Sequence, residues 1–137
     1  MEHPHAELAR QVHAAIVSAD LDAMRRLFTP DIVWHVGGRG PVAADHRGID
    51  GVIEMFARVY DMSEGTLTYD EHDVLADDEH AVALLTMRVT YAGRDVEDKV
   101  VHVCHVRDGL VSEVWAFNWA QHDLDEAMTE VIVRAAR

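Results

Sequence analysis

Two histidines, three residues apart, are the side chains of this sequence best suited to moving a proton. His102 and His105 lie in an apolar stretch, residues 99–120, in which two β-rich runs flank the Asp-Gly pair at 108–109. Such a pair favours a two-residue hairpin turn, and successive side chains of a strand point to opposite faces. Only one of the two imidazoles can therefore point inward, where a group that titrates at about pH 6.5 could act as an acid or a base.

Other kinds of chemistry find less support in the sequence. The single cysteine, Cys104, lies among apolar residues in the middle of a predicted strand, so we expect a small buried side chain rather than a redox group. The chain has ten histidines, but it contains no Cys-x-x-Cys, no His-Glu-x-x-His and no histidine pair at i and i+4. We therefore expect neither a metal site nor a cofactor.

Length and charge narrow the class of protein. The 137 residues suit a single domain, residues 1–137, large enough to bury about two thirds of its unfolded surface. The formal net charge is −13, and the basic residues are scattered, so the surface should repel nucleic acids and anionic lipids. No signal peptide and no apolar run of about 18 residues is visible, which predicts a cytoplasmic protein.

The periodicity of apolar residues predicts the elements that would position His102. Helices are predicted at 6–19, 21–28 and 49–62, and a closing helix is predicted to begin at a capping box, 123–126. Strands are predicted at 32–36, 66–76 and 80–91; two more form the hairpin, one running through His102 and the other following Gly109. Residues 37–48, rich in glycine, are predicted to form a loop. This order indicates an α+β domain whose antiparallel sheet curves around the helices, with a conical apolar cavity inside and a convex face outside.

Four strings carry a family resemblance that covers nearly the whole chain: SADLDAMRRLFTPDIVWH, HRGIDGVIEMF, TYAGR and HVRDGLVSEVW. The sequence resembles the nuclear transport factor 2-like superfamily, especially its bacterial branch related to SnoaL-type polyketide cyclases and ketosteroid isomerase. The resemblance implies a cystatin-like cone, an antiparallel or mixed sheet wrapped around N-terminal helices with an interior apolar pocket. It does not fix a reaction, because members of the superfamily are isomerases, hydrolases, dehydratases, cyclases and non-catalytic subunits.

Alignment with the catalytic positions of these relatives implies that most of their polar groups are missing here. Val12 falls where ketosteroid isomerase has its oxyanion-hole tyrosine, and Val36 falls where it has its general-base aspartate. Ala116 falls where polyketide cyclases of this superfamily carry an acid. His102, however, falls on the protonated aspartate of ketosteroid isomerase, so a titratable group persists at that position.

The same alignment divides the residues between the two faces of the sheet. Inside, it implies a ligand-binding pocket formed by Val12, Trp34, Val36, Phe56, Tyr60, Val100, Cys104, Val114, Ala116 and Asn118. Outside, it implies a convex face that carries His105, Trp115, Phe117 and Trp119, the expected surface of a homodimer. A β-bulge in the last strand would exchange the two faces, because a slip of one residue turns every side chain over.

Three functional hypotheses follow. The first is a cofactor-independent isomerase, cyclase, dehydratase or hydrolase that acts on a small, mostly apolar carbonyl or hydroxylated compound, with His102 as the proton-transfer or oxyanion-stabilising group. The second is a non-catalytic carrier or sensor of such a molecule. The third is a dimeric interaction module that uses the convex face. The missing acids favour binding, and the polar group at His102 favours chemistry; we adopt the first hypothesis.

Overall fold

A computed structural model describes residues 2–137 as four helices and one six-stranded mixed sheet. The elements in chain order are α1 (Pro4–Val17), α2 (Leu21–Leu27), β1 (Phe28–Val36), β2 (Ala44–Arg47), α3 (Gly48–Ser63), β3 (Thr68–Ala76), β4 (His80–Tyr91), β5 (Arg94–Arg107), β6 (Leu110–Asn118) and α4 (Gln121–Ala135). The strand order is β2-β1-β6-β5-β4-β3, and only β1 and β6 run parallel. The predicted α+β class and curved sheet are confirmed.

The hairpin of β5 and β6 has the predicted turn. Asp108 and Gly109 both have positive φ angles, 53° and 77°, as the two central residues of a type I′ turn require. Beyond a register shift next to the turn, His102 lies opposite Ala116 and Val100 opposite Asn118, so all four are on the side that the alignment implied to be inward. Inward and outward side chains of the two strands are thereby fixed.

A β-bulge does occur in the last strand, and with it the observed faces are those that the alignment implied. The register between β5 and β6 shifts at Ser112, between the turn and the residues that line the interior. Beyond the bulge, Val114 is fully buried, whereas Phe117 and Trp119 are 57% and 88% exposed. The turn register alone would pair His102 with Trp115, so the extra residue at Ser112 brings Ala116 opposite His102 and gives the later residues of β6 the faces that the alignment assigned to them.

The helices begin and end where local capping and distant contacts dictate. The Asp20 side chain caps α2 by accepting a hydrogen bond from the Ala23 backbone N–H at 3.0 Å. The predicted capping box of the closing helix is wrong: α4 begins at Gln121, and no side chain caps it locally. Instead the Ala120 backbone N–H donates to the buried carboxylate of Asp98 at 2.7 Å, a partner from β5.

The first two strands differ most from the prediction. Helix α2 ends at Leu27, and β1 begins already at Phe28 despite Pro30, because a register shift between Phe28 and Val33 tolerates the proline. The predicted loop at 37–48 contains the short edge strand β2, which pairs with the last four residues of β1. Its residues are polar and largely exposed, so they show no alternating apolar pattern.

The helices pack on the concave face of the sheet and enclose the core. Helix α3 lies against β1, α1 lies against β3 and β4, and α4 lies against β4 and β5. Among residues 2–137 no helix is both long and apolar enough to cross a lipid bilayer.

Candidate functional site

A cavity of about 80 Å³ lies between the concave face of the sheet and helices α3 and α4. Seven of the predicted site residues line it: Trp34, Val36, Phe56, Val100, His102, Ala116 and Asn118. The remaining wall consists mainly of apolar side chains, with the two tyrosines Tyr69 and Tyr91. Sequence reasoning missed both tyrosines, because each lies on a strand that the alignment did not link to the pocket.

Four predicted ligand-binding residues do not lie on the cavity wall. The Tyr60 hydroxyl donates to the Ile16 carbonyl at 2.7 Å and so ties α3 to α1, and burial raises the pKa of Tyr60 to about 12. Cys104 and Val114 are cross-strand partners closer to the hairpin turn, where the core is closed, and burial raises the pKa of the Cys104 thiol to about 12. Val12 is buried in the core on a neighbouring face of α1.

His102 is inward as predicted, and its partner is a second histidine. The side chain is 3% exposed, and its Nδ1 lies 2.9 Å from Nε2 of His13. The two rings are stacked, with centroids 5.1 Å apart, while Trp34 and Tyr69 stand edge-on to His102 at 5.4 and 5.7 Å. Aromatic rings therefore hold the imidazole pair in place on several sides.

His13 was missed by the alignment but was visible in the helical pattern. The alignment selected Val12, and one residue on a helix corresponds to a rotation of about 100°. His13 belongs to a stripe with Ala6, Ala9 and Ile16, which recur at helical spacing and are all buried. A histidine within such a stripe predicts a buried imidazole that needs a polar partner.

Burial keeps both imidazoles neutral at neutral pH. Loss of hydration lowers the pKa of His13 to about 4, and the charge of Glu71 opposes this shift only in part. Burial also lowers the pKa of His102 well below its ordinary value, and the neighbouring His13 adds to this effect. The pair is therefore a hydrogen-bonded unit of two uncharged rings.

The hydrogen-bond network assigns the proton that the two rings share. His13 Nδ1 is buried and has no hydrogen-bond partner among residues 2–137. If His102 donated to His13, this Nδ1 would carry a buried unpaired N–H, which costs about 1–3 kcal/mol. A bare lone pair is tolerated better. His13 Nε2–H therefore donates to His102 Nδ1, and the proton of His102 resides on Nε2.

The other polar groups of the cavity are neutral or already paired. The Asn118 amide nitrogen donates to Asp98 at 3.0 Å, so it holds the carboxylate that caps α4. Burial raises the pKa of the Tyr69 and Tyr91 hydroxyls, which keeps both protonated. Within the described part of the chain, no lining residue carries a carboxylate. The cavity thus offers hydrogen-bond donors in apolar surroundings.

Similarity to known proteins shows the family to which this chain belongs. Residues 9–114 match the model of the SnoaL-like domain. The chain belongs to the SnoaL-like family. One relative of this SnoaL-like chain is an uncharacterised protein of Mycobacterium tuberculosis, 27% identical over 112 residues, which cover 81% of this chain and 86% of that protein.

Two solved structures have the same fold as this SnoaL-like chain. Bal32a, from a soil-derived mobile gene cassette, superposes with a TM-score of 0.87 at 24% identity and covers 91% of this chain and 96% of its own. A putative SnoaL-like polyketide cyclase of Jannaschia sp. CCS1 superposes with a TM-score of 0.79 at 16% identity and covers 92% of each chain. The predicted resemblance and the cone-shaped fold are confirmed.

A charged cluster lies on the outer face of this SnoaL-like sheet. His35 Nδ1 is 2.7 Å from Asp45 and its Nε2 is 2.6 Å from Glu113. Carboxylates only accept hydrogen bonds, so both ring nitrogens carry protons. The hydrogen bond to Glu113, followed by that to Asp45, raises the pKa of His35, and the charged ring stacks on Trp115 at 5.4 Å.

Replacement of His35 should lower the stability of the folded protein more at low pH than at high pH. Because folding raises the pKa of His35, its contribution to the free energy of unfolding is fully present below the ordinary pKa of histidine. This contribution is lost as the pH rises through the raised pKa. For this partly exposed group, we expect His35→Gln to lower the free energy of unfolding by about 0.2–1 kcal/mol at pH 6 and by less at pH 9. Urea titrations at both pH values measure this difference. An equal loss of unfolding free energy at pH 6 and pH 9 would contradict the charged state assigned to His35.

Proposed function

We propose that this SnoaL-like protein binds a small, mostly apolar molecule through its carbonyl or hydroxyl oxygen. His102 Nε2–H is the donor, and the observation that carries the proposal is the His13–His102 pair, which occupies Nδ1 and leaves Nε2–H for the cavity. Membership of the SnoaL-like family suggests small-molecule binding and possible cyclase or isomerase activity. The apolar wall supports a ligand with few polar groups.

The same hydrogen bond could assist a reaction of the bound molecule. A donor aimed at a carbonyl oxygen binds more strongly as negative charge develops there, so it stabilises an enolate. This supports isomerase, cyclase, dehydratase or hydrolase chemistry with His102 as the oxyanion-stabilising group. The lowered pKa of His102 argues against its accepting a proton as a general base. Because the described lining has no carboxylate, turnover would need a base from elsewhere, and binding without turnover is the simpler activity.

The size of the cavity limits the ligand. Its volume of about 80 Å³ is smaller than the roughly 300–1,000 Å³ of common ligand pockets. Met55, Met87 and Met128 form part of the wall, and methionine side chains are flexible enough to move aside. We therefore propose a compact ligand of one small ring, or a larger one that displaces these three side chains.

Cyclopentanone and methylenecyclopentane form a matched pair of probes, because they differ in the carbonyl oxygen alone. We expect cyclopentanone to raise the melting temperature in a concentration-dependent way and to bind about threefold to tenfold more tightly than the hydrocarbon, the value of one hydrogen bond. The preference should vanish in the double variant His13→Leu/His102→Leu, which leaves no imidazole unpaired. His72→Leu, on the exposed side of β3, is the control. Equal binding of both probes to the wild type would refute the role of His102.

We also propose that the protein forms a homodimer through the convex face. Phe117 and Trp119 are 57% and 88% exposed beside Trp115, and His105 lies on the same side of the sheet. Exposed aromatic clusters of this kind are typical of protein interfaces. The dimer is a second function for the sheet, independent of the cavity.

Substitution of Phe117 tests the dimer. Phe117→Asp should convert a dimer into a monomer, because it places a charge in the apolar contact. Ile132→Asp, on a 45% exposed isoleucine of α4 on the other side of the sheet, is the control and should leave the mass unchanged. Light scattering after size-exclusion chromatography measures the mass. A wild-type monomer at all concentrations would contradict the proposal.

A further inference from the structure

Three side chains with metal-binding chemistry meet on the outer face of the sheet, at the end of β4 and β5. His80 and His105 are cross-strand partners, and their ring centroids are 5.2 Å apart. Glu79 directly precedes β4, and its backbone carbonyl accepts a hydrogen bond from the Val106 N–H at 2.8 Å. One nitrogen of each ring and one carboxylate oxygen of Glu79 all lie within 4.8 Å of one another.

The hydrogen bonds of His105 determine which of its nitrogens is free. The Ser112 hydroxyl donates to the His105 carbonyl oxygen at 3.1 Å, and its oxygen lies 3.1 Å from His105 Nδ1. With its own proton used, that oxygen accepts from Nδ1–H. The Nε2 of His105 is then the unprotonated nitrogen, which has a lone pair for a metal ion. Ser112 is the bulge residue of β6, so the bulge places this hydroxyl beside the ring.

His80 is oriented in the same way by a carboxylate. Its Nδ1 lies 3.2 Å from Asp77 Oδ1, and a carboxylate only accepts hydrogen bonds, so Nδ1 carries the proton. The same oxygen accepts the backbone N–H groups of Glu79 and His80, at 2.9 and 2.7 Å. These two bonds fix the turn that presents the His80 ring. His80 therefore also has a free lone pair on Nε2.

We propose that Glu79, His80 and His105 bind a divalent first-row transition metal ion, with Zn²⁺ as the representative. Two imidazoles and a carboxylate form a ligand set that Zn²⁺ prefers, and three protein ligands leave one position open. Metal-binding histidines usually donate their second N–H to a carboxylate or another acceptor, as both of these rings do. Zn–N bonds are about 2.0–2.1 Å, so the ligand atoms must draw together, which the exposed Glu79 side chain can do.

The metal site and the cavity are separate. His105 and His102 lie on one strand, but they point to opposite faces of the sheet, so a metal ion at His105 takes no part in the cavity. Its open position faces outward, where a small anion or a donor group of another protein could complete the coordination. Loss of metal binding therefore leaves the proposed function of the cavity intact.

Calorimetric titration of the untagged 137-residue protein with Zn²⁺ tests the proposal. We expect one ion per chain and a loss of affinity of at least about tenfold in each of Glu79→Gln, His80→Gln and His105→Gln. Ser112→Ala, which removes the acceptor for Nδ1–H together with the hydrogen bond to the His105 carbonyl, should weaken binding by about tenfold as a positioning effect. The visible spectrum of bound Co²⁺ should show four-coordinate geometry in the wild type and change in each ligand variant.

Other histidines supply the controls. His72→Gln, on the exposed side of β3, should leave the affinity unchanged. His3 and His5 lie near the site, where they contact Asp78 and the Asp77 carbonyl, but neither belongs to the proposed ligand set. The double variant His3→Gln/His5→Gln should therefore bind Zn²⁺ as the wild type does. The proposal is overturned if the wild type binds no Zn²⁺, or if the variant His80→Gln/His105→Gln retains the wild-type affinity with a native circular dichroism spectrum.

Discussion

Acidification from pH 7 to pH 5 is expected to destabilise this protein through its buried histidine pair. The unfolded chain takes up protons on histidine below about pH 6.5, whereas the folded state does not protonate His13 until about pH 4. The unfolded state therefore binds more protons in this interval, and the free energy of unfolding falls as the pH falls. At 1.36 kcal/mol for each pH unit, His13 accounts for about 2 kcal/mol, and His102 adds a loss of the same sign.

The double variant His13→Leu/His102→Leu isolates this effect. Urea titrations between pH 5 and pH 7 should show a steep decline for the wild type and a shallow one for the variant. His35 contributes in the opposite direction in both proteins, so the difference between them cancels its effect. At pH 7 the free energy of unfolding of each single variant should be about 1–3 kcal/mol lower than that of the double variant, because each single variant leaves one buried imidazole unpaired. Parallel pH profiles would show that the pair is not buried and neutral.

Removal of the Trp34 side chain is expected to be the most damaging single substitution in the cavity. The ring is 3% exposed and stands edge-on to Phe56 at 5.0 Å and to His102 at 5.4 Å. Because Trp34 is buried on the cavity wall, Trp34→Ala removes these contacts and leaves a void beside the cavity. We expect a loss of about 3–5 kcal/mol in the free energy of unfolding.

Trp119 provides the matched control for Trp34. Trp119→Ala deletes the same side chain at a position that is 88% exposed, and in the monomeric Phe117→Asp background, where no dimer contact is lost, we expect a change within about 0.5 kcal/mol. The void in Trp34→Ala should also admit a small aromatic molecule, so benzene should raise the melting temperature of that variant more than that of the wild type. Equal effects of the two substitutions on stability would contradict the assigned faces of the sheet.

Local patterns predicted much of the fold because short-range physics determines those parts. The Asp108-Gly109 turn and the alternation of β5 and β6 depend on residues close in sequence, and they set the position of His102. Positions that depend on distant partners were wrong or missed. Helix α4 begins two residues before its predicted capping box because Asp98, from another strand, accepts the Ala120 N–H. Strand β2 exists because β1 offers it an edge.

The candidate sites divide in the same way. His102 followed from its strand position and the family alignment, but His13 comes from a helix 89 residues away in sequence, and no spacing rule connects the two. His80 and His105 likewise become neighbours only when β4 and β5 pair. Searches for metal-binding spacing within one helix or one loop could not detect them, because cross-strand pairs have no fixed separation in sequence.

The parallel contact between β1 and β6 has a consequence for biosynthesis. Within the sheet, the early β1–β2 pair and the later β3–β4–β5 group are joined only through β6, which is synthesised after all the other strands. Until residues 110–118 leave the ribosome, the nascent chain presents two unfinished sheets with open edges at β1 and β5. Such edges attract strands of other chains, so ribosome-bound or prematurely terminated products should depend on chaperones far more than the finished protein does.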